Sequence, residues 1–292
     1  MTTVAFIGLG AMGAPMASNL RDAGFELRVY NRNATKAAPL AGKGATVCAS
    51  PAEAVRGAQF VVSMVADDTA TREVMLGAQG VVGAAAKGTV IVDSSTNTPA
   101  MAREVAAAAS ARGCAYLDAP VSGSIAQARG HELVFMVGGE ADAFERAQPI
   151  FTAMGRMSKR MGGPGSGATI KLVNNMLSGA MNAAIAEAMS VAEAAGLDPA
   201  AAQEVLNEGA AASRLTRTKI DKIRARDFSP QFQLALMEKD LRYFLSLAQE
   251  VDRPAPITAL VRSQMQAARR ADLGALDVSA IFLYASRERP RG

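Results

Sequence analysis

Val4-Ala-Phe-Ile-Gly8-Leu9-Gly10-Ala11-Met12-Gly13-Ala-Pro-Met16-Ala-Ser-Asn-Leu20 is the stretch on which the fold turns. Val4 to Ile7 is a short apolar run that stops at glycine, after which Met16, Leu20 and Ala23 recur at helical spacing. Strand, glycine turn and helix in that order give each glycine a mechanical job. Gly8 makes a tight turn, Gly10 lets backbone approach a ligand, and Gly13 allows close packing of helix on strand. A pyrophosphate outside the turn would meet the positive end of the helix. The motif alone is weak, but here it follows a strand, opens a helix and begins an alternating pattern. Gly8 to Gly13, with Leu9, Ala11 and Met12, therefore reads as a dinucleotide-phosphate loop.

Working outward, Glu26 to Tyr30 is the next strand and ends at Asn31-Arg32-Asn33. An acidic residue at this strand end would bind a ribose 2′-hydroxyl and favour NAD. With none there, Asn31 is expected to bond the 2′-oxygen and Arg32 to stack on adenine and pair with a 2′-phosphate, so NADP is expected, with NAD as the other candidate. Gln59–Val65, Thr89–Asp93, Cys114–Leu117 and Leu133–Val137 read as further buried strands, and Ala141–Met154 as a helix. Ligands lie beyond the carboxyl ends of strands in an open parallel sheet. Met64, Val65 and Thr96 are thus placed toward the nicotinamide end, whereas Asp67 and Asp68 read as helix caps. After the Cys114 strand, Asp118-Ala-Pro-Val-Ser122-Gly123-Ser124 is either an anion cradle or an ordinary serine- and glycine-rich turn. His131, the lone histidine, has no evident partner residue and reads as a solvated loop side chain.

Gly162 to Asn175, G-G-P-G-S-G-A-T-I-K-L-V-N-N, separates two textures: valine- and isoleucine-rich alternation before it, alanine-, leucine- and methionine-rich helical pattern after it. The expected architecture is an α/β Rossmann-type domain over 1–163 and an all-α domain over 164–292. Ser166 is the expected N-cap of a helix running toward Gly196, on which Lys171 and Asn175 share a face and could hold an oxygen in an interdomain cleft. Apolar residues on most faces of that helix, including Leu172, Met176, Ala180, Ala184, Ala188 and Val191, suggest cover by a second subunit as well as by its own domain. Later helices are expected to begin at Asp198-Pro199, to carry Lys239 and Asp240, to follow Pro254 and Pro256, and to close the chain after Asp277. Arg214 to Arg226 reads as a solvated basic face, and the tail from Arg287 to Gly292 as frayed.

The chain has 292 residues, half of them hydrophobic and 20% charged, which suits two packed domains. Its net charge of +4 is dispersed and does not argue for a nucleic-acid partner. Cys48 and Cys114 lack metal-ligand spacing, so no metal is expected, and the absence of a leader pattern or long apolar window points to a cytoplasmic protein without a membrane partner.

Taken together, Phe6–Leu20, D-A-P-V-S-G at Asp118–Gly123, G-x-G-A-T-I-K-L-V-N-N ending at Asn175, and E-K-D-L at Glu238–Leu241 make the sequence resemble the β-hydroxyacid dehydrogenase family over nearly its whole length. That family includes 3-hydroxyisobutyrate dehydrogenases and tartronate, succinic and sulfo-semialdehyde reductases. The resemblance implies Lys171 as the catalytic acid or base, Ser122 and Gly123 as binders of the substrate carboxylate, and Asn175 as its orienting group. It also implies that Lys239 reaches the cofactor, that Asp240 supports the substrate site, and that the Asn31-Arg32 pair marks an NADP-preferring member. Two departures, Ser124 and His131 where glycines are usual, flank the acid-binding loop and leave the substrate open to added polar contacts. The expectation is an NADP(H)-dependent oxidoreductase interconverting a small 3-hydroxy acid and its semialdehyde, working as a homodimer or homotetramer. Methylmalonate, tartronate or succinic semialdehyde and glyoxylate are the candidate substrates. An imine reductase, a 6-phosphogluconate dehydrogenase-like enzyme and a non-catalytic dinucleotide scaffold are the alternatives.

Overall fold

A strand covered on both faces is apolar at successive positions, as Val4–Ile7 and Val90–Val92 are here. In the computed structural model, which describes residues 1–288, nine strands form one sheet: β1 (Thr3–Ile7), β2 (Glu26–Tyr30), β3 (Thr46–Val47), β4 (Phe60–Ser63), β5 (Val90–Asp93), β6 (Ala115–Asp118), β7 (Val121–Ser122), β8 (Leu133–Gly138) and β9 (Gly155–Gly162). Their order is β3-β2-β1-β4-β5-β6-β8-β7, with β9 on β8. The strands from β3 to β6 are parallel, and β8 runs antiparallel to β6 and β7. Val4, Phe6, Val62, Val92 and Leu117 point into one core and Ala5, Ile7, Val61, Ile91 and Tyr116 into the other. This is the two-residue period of a strand working against helices on both sides. The chain winds outward from β1 through β2 to β3 and returns to the other flank of β1 as β4, so the crevice expected to receive ligand lies at the carboxyl ends of β1 and β4.

Two compact units are present, Met1–Lys171 and the residues from Leu172 onward. The division falls inside the helix Ser166–Ala194, beyond the boundary expected after Gly163. The second unit is built from the rest of that helix with Pro199–Glu208, Arg214–Ala225, Leu234–Glu250, Pro256–Ala268 and Ile281–Ser286. Ala186, Met189, Ile223, Met237, Leu241, Met265 and Phe282 are part of its core. The long helix stops at Gly196, whose φ of +81° is the left-handed conformation glycine adopts freely; the Leu197 amide closes back on the Ala192 carbonyl.

Several expectations need correcting. The helix expected over Ala141–Met154 is two, Ala141–Arg146 and Gln148–Met154, because Pro149 has no amide to continue the first and suits the opening turn of the second. The N-terminus of the long helix is not capped by Ser166, which is already helical; the acceptor is Asp118, remote in sequence. The basic stretch Arg214–Arg226 is not wholly solvated, since Lys219 and Lys222 are buried and paired with Asp277 and Asp227. In the tail, Glu288 pairs with Arg226, while positions 289–292 of the expected frayed segment lie outside the described residues.

Candidate active site

The glycine loop of the first unit is shaped by contacts a side chain would destroy. Gly8 has φ +98°, and a Cβ there would stand 2.3 Å from the Met64 carbonyl oxygen. A Cβ on Gly13 would stand 1.9 Å from the Gly8 oxygen. Gly10 differs, because a Cβ there would meet no protein atom within 4 Å. Its missing side chain leaves space open outside the loop, where backbone can approach a ligand. The following helix, Gly13–Asp22, has no side-chain cap and no acidic residue in its first turn, so the helix supplies no side-chain anion of its own there. A pyrophosphate fits that combination of open space and uncapped helix end, and Gly8 to Gly13, including Leu9, Ala11 and Met12, are the residues that would hold it.

Asn31, at the end of β2, accepts the Leu9 amide on Oδ1 at 2.8 Å and donates from Nδ2 to the Asn33 carbonyl at 2.8 Å. Its amide group therefore pins the glycine loop to the neighbouring strand, a task that the strand-end pattern did not reveal. Arg32 is exposed beside it. On the other flank, the Met64 amide bonds the Ile7 carbonyl and the Val65 amide donates to Ser95 Oγ at 2.9 Å. Thr96 is half-buried in the loop after β5. Asp67 caps the helix Asp68–Leu76 as expected, but Asp68 reaches across to the Thr98 amide and hydroxyl at 2.9 and 2.7 Å.

Beneath these loops lies a buried polar cluster that sequence reasoning missed. Asp93 Oδ1 accepts Ser63 Oγ–H at 2.8 Å and the Ser95 amide at 3.1 Å, while Oδ2 accepts Asn97 Nδ2–H at 2.8 Å and the Tyr116 hydroxyl at 3.0 Å. Burial, with Asp93 and Asp118 nearby, pushes the Tyr116 hydroxyl well above its ordinary range, so it stays a donor. Asp93 and Asp118 stand opposite each other in register at the carboxyl ends of β5 and β6. The signal for them was an aspartate closing each of two apolar strands.

Asp118 is 3% exposed; its Oδ1 accepts the Gly165 amide at 2.9 Å and its Oδ2 the Ala168 amide at 2.8 Å. Burial raises its carboxyl to about 6, against the pull of those amides. Three residues after Ala168 comes Lys171, itself buried. Four residues after Asp118, Ser122 lies in β7, opposite Val134 of β8. Gly123 follows with φ +136°, and a Cβ there would stand 2.9 Å from the Leu133 side chain. The two departures are both taken up locally. Ser124 donates its amide and hydroxyl hydrogens to Gln127 Oε1 at the start of the helix Ile125–Arg129, and His131, at φ +57°, has Nδ1 2.7 Å from the Ala153 carbonyl.

In the second unit, Asn175 Nδ2 donates to Asp240 Oδ2 at 2.6 Å, and Lys239 Nζ lies 3.1 Å from Asp240 Oδ1. Lys239 also sits 5.0 Å over the Tyr243 ring. All three of Asn175, Lys239 and Asp240 are buried, so one carboxylate joins an amide and an ammonium away from solvent. Glu238 faces elsewhere, to Arg262 at 3.0 Å and Arg269 at 3.9 Å, and so ties its helix to the one after it. Cys48 and Cys114 are free thiols pushed up by burial, which suits packing rather than nucleophilic work. Among the described residues no cluster of histidine, cysteine and carboxylate groups could hold a metal ion, and no helix is long and apolar enough to cross a membrane.

Two family models match the chain. Residues 3–163 match the NAD binding domain of 6-phosphogluconate dehydrogenase, and residues 165–285 the NAD-binding domain of NADP-dependent 3-hydroxyisobutyrate dehydrogenase. The chain is 39% identical to a 3-sulfolactaldehyde reductase of Escherichia coli strain K12, over 97% of its own length and 95% of the relative's. It is 36% identical to a 3-hydroxyisobutyrate dehydrogenase of Pseudomonas aeruginosa, over 96% and 97%. Among solved structures, a Mycobacterium tuberculosis 3-hydroxyisobutyrate dehydrogenase with L-serine superposes with a TM-score of 0.89 at 35% identity, covering 97% of this chain and 99% of that one.

Proposed function

Because this chain belongs to the β-hydroxyacid dehydrogenase family of NAD(P)-dependent oxidoreductases, we propose that it is a cytoplasmic, NADPH-preferring reductase of a small carboxylate- or sulfonate-bearing aldehyde, and the corresponding alcohol oxidant in reverse. The observation that carries the reading is the pairing within the first unit of an open glycine loop at Gly10 with a buried lysine, Lys171, on a helix anchored to the strand that leads to Ser122.

Each residue has a distinct task in this account. Gly8 to Gly13 hold the pyrophosphate, with Arg32 beside Asn31 taking the 2′-phosphate, since a guanidinium presents paired donors to phosphate oxygens. Met64, Val65 and Thr96 line the nicotinamide side, where bound reduced cofactor supplies the hydride. Ser122 and the Gly123 amide hold the substrate's anionic group. Protonated Lys171 gives a proton to the aldehyde oxygen as the carbon is reduced, and takes it back in oxidation. Within the second unit Asp240 holds Asn175 and Lys239, the groups that the family resemblance assigns to orienting substrate and reaching cofactor. The second unit is read as the homo-oligomer surface as well.

The test follows absorbance of NADPH and NADH with tartronate, methylmalonate and succinic semialdehydes, glyoxylate and 3-sulfolactaldehyde. Turnover of one or more with NADPH ahead of NADH is expected. Turnover only of cyclic imines, or of 6-phosphogluconate in the oxidative direction, would replace the proposal with another enzyme class, and turnover of nothing would leave a dinucleotide scaffold. Replacing Arg32 with alanine is expected to weaken NADP by about 2 kcal/mol more than NAD.

A further inference from the structure

We propose that Asp118 is a positioning residue for Lys171, locking the helix that carries the lysine to the strand that leads into the substrate-anion loop. The inference rests on the function proposed above and deepens it. Asp118 closes β6 and spends both carboxylate oxygens on the first turn of the long helix, at the Gly165 and Ala168 amides. Those amides are among the donors that a helix start leaves without partners, and an anion there also meets the positive end of the helix dipole. The attachment is close. A Cβ on Gly167 would stand 2.3 Å from the Asp118 carbonyl oxygen and 2.4 Å from that of Met136, and a Cβ on Gly138 would stand 2.5 Å from Asp118 Oδ1. No side chain fits between the helix start and the ends of β6 and β8, so the helix cannot slide or rotate there without breaking both hydrogen bonds.

Lys171 is less than one turn beyond Ala168, and Ser122 is four residues beyond Asp118, so a single side chain stands at the root of both groups. Proton transfer needs donor and acceptor within hydrogen-bond reach, and a small displacement of a catalytic group costs rate more than it costs binding. Ser166, the apparent cap in the sequence, could not perform this task, because its side chain belongs to the helix it would be fixing.

The experiment is a double-mutant cycle in the full chain, with Asp118→Asn, Lys171→Ala and the pair together. Asparagine keeps the shape but replaces one acceptor with an amide group that cannot accept the helix N–H. Asp118→Asn is expected to lower kcat about tenfold while the NADPH Kd and the aldehyde KM stay within about twofold. The double variant should turn over no more slowly than Lys171→Ala, because a group acting through the lysine has nothing left to position. Losses that multiply independently, or an Asp118→Asn enzyme with unchanged kcat, would overturn the positioning role while leaving the proposed function standing. A Lys171→Ala enzyme with wild-type turnover would instead remove the function reading and this proposal with it. Should Asp118→Asn fail to fold, as judged by circular dichroism and loss of NADPH binding, Asp118→Ser goes through the same cycle against the same criteria.

Discussion

The three glycines of the opening motif separate two reasons for being glycine. At Gly8 and Gly13 the reason is internal, since carbonyl oxygens occupy the space a Cβ would take. At Gly10 nothing in the protein does. Gly13→Ala is therefore expected to lower the melting temperature and abolish dinucleotide binding together. Gly10→Ala should melt within about 2 °C of the wild type and yet bind NADPH at least about tenfold more weakly, because the methyl group meets only the pyrophosphate. Thermal melts with and without NADPH separate the two; an unchanged NADPH affinity in Gly10→Ala would place the cofactor elsewhere. Asn31 shows where reading single residues stops. Its type at a strand end suggested a ribose contact; its Oδ1 also takes the Leu9 amide, a partner set by the sheet order and invisible in the local sequence, while its Nδ2 turns to the Asn33 carbonyl two residues on.

Elements built on their own periodicity were legible, and those built by neighbours were not. Glu26–Tyr30 matches its expected bounds, with Leu27 and Val29 buried in one core and Tyr30 packed against the other. Gly155–Gly162 was missed because G-R-M-S-K-R-M-G has no apolar run; it is a strand through its pairing with β8, the strand before it across two short helices. The candidate site divides the same way. Motifs nominate Lys171, Ser122 and the glycine loop, but the cap on the Lys171 helix and the Asp93 cluster needed the sheet to bring strand ends together. The helix Arg214–Ala225 gives the element-scale test. Asp277 is pushed up by burial, but Lys219 at 2.7 Å and the Ser279 donors outweigh this and hold its carboxyl below the ordinary range. It also accepts the Gln231 and Phe232 amides. Lys219→Met would strand a buried carboxylate and is expected to cost about 3 kcal/mol, measured by urea unfolding at neutral pH. Because the folded pKa is depressed, the pair's contribution is present above the ordinary carboxyl pKa and lost as pH falls through the depressed one. The gap between the two proteins should therefore narrow in acid; a gap below about 0.5 kcal/mol at neutral pH would mean the pair is not holding these elements.

At the scale of the whole molecule, the long helix presents Leu177, Met181, Ala184, Ala188 and Val191 at successive four- and three-residue steps, with Leu177 57% and Val191 63% exposed. Such a stripe is one face of a helix, and apolar surface continuous over several turns is costly in water unless covered. The proposed homodimer, or tetramer built from two dimers, would cover it. Light scattering at micromolar concentration is expected to give at least twice the chain mass, and Ala188→Glu should shift the protein toward monomer; a wild-type monomer would refute the assembly. The central claim is that Lys171 handles the substrate's proton and does not hold the cofactor. Its most direct test is the kcat of Lys171→Ala with NADPH and the best aldehyde of the panel, set beside the NADPH Kd by fluorescence titration. The account predicts a kcat lowered by about a thousandfold or more with Kd changed by less than about threefold; a wild-type kcat, or a loss that lies wholly in NADPH binding, would contradict it.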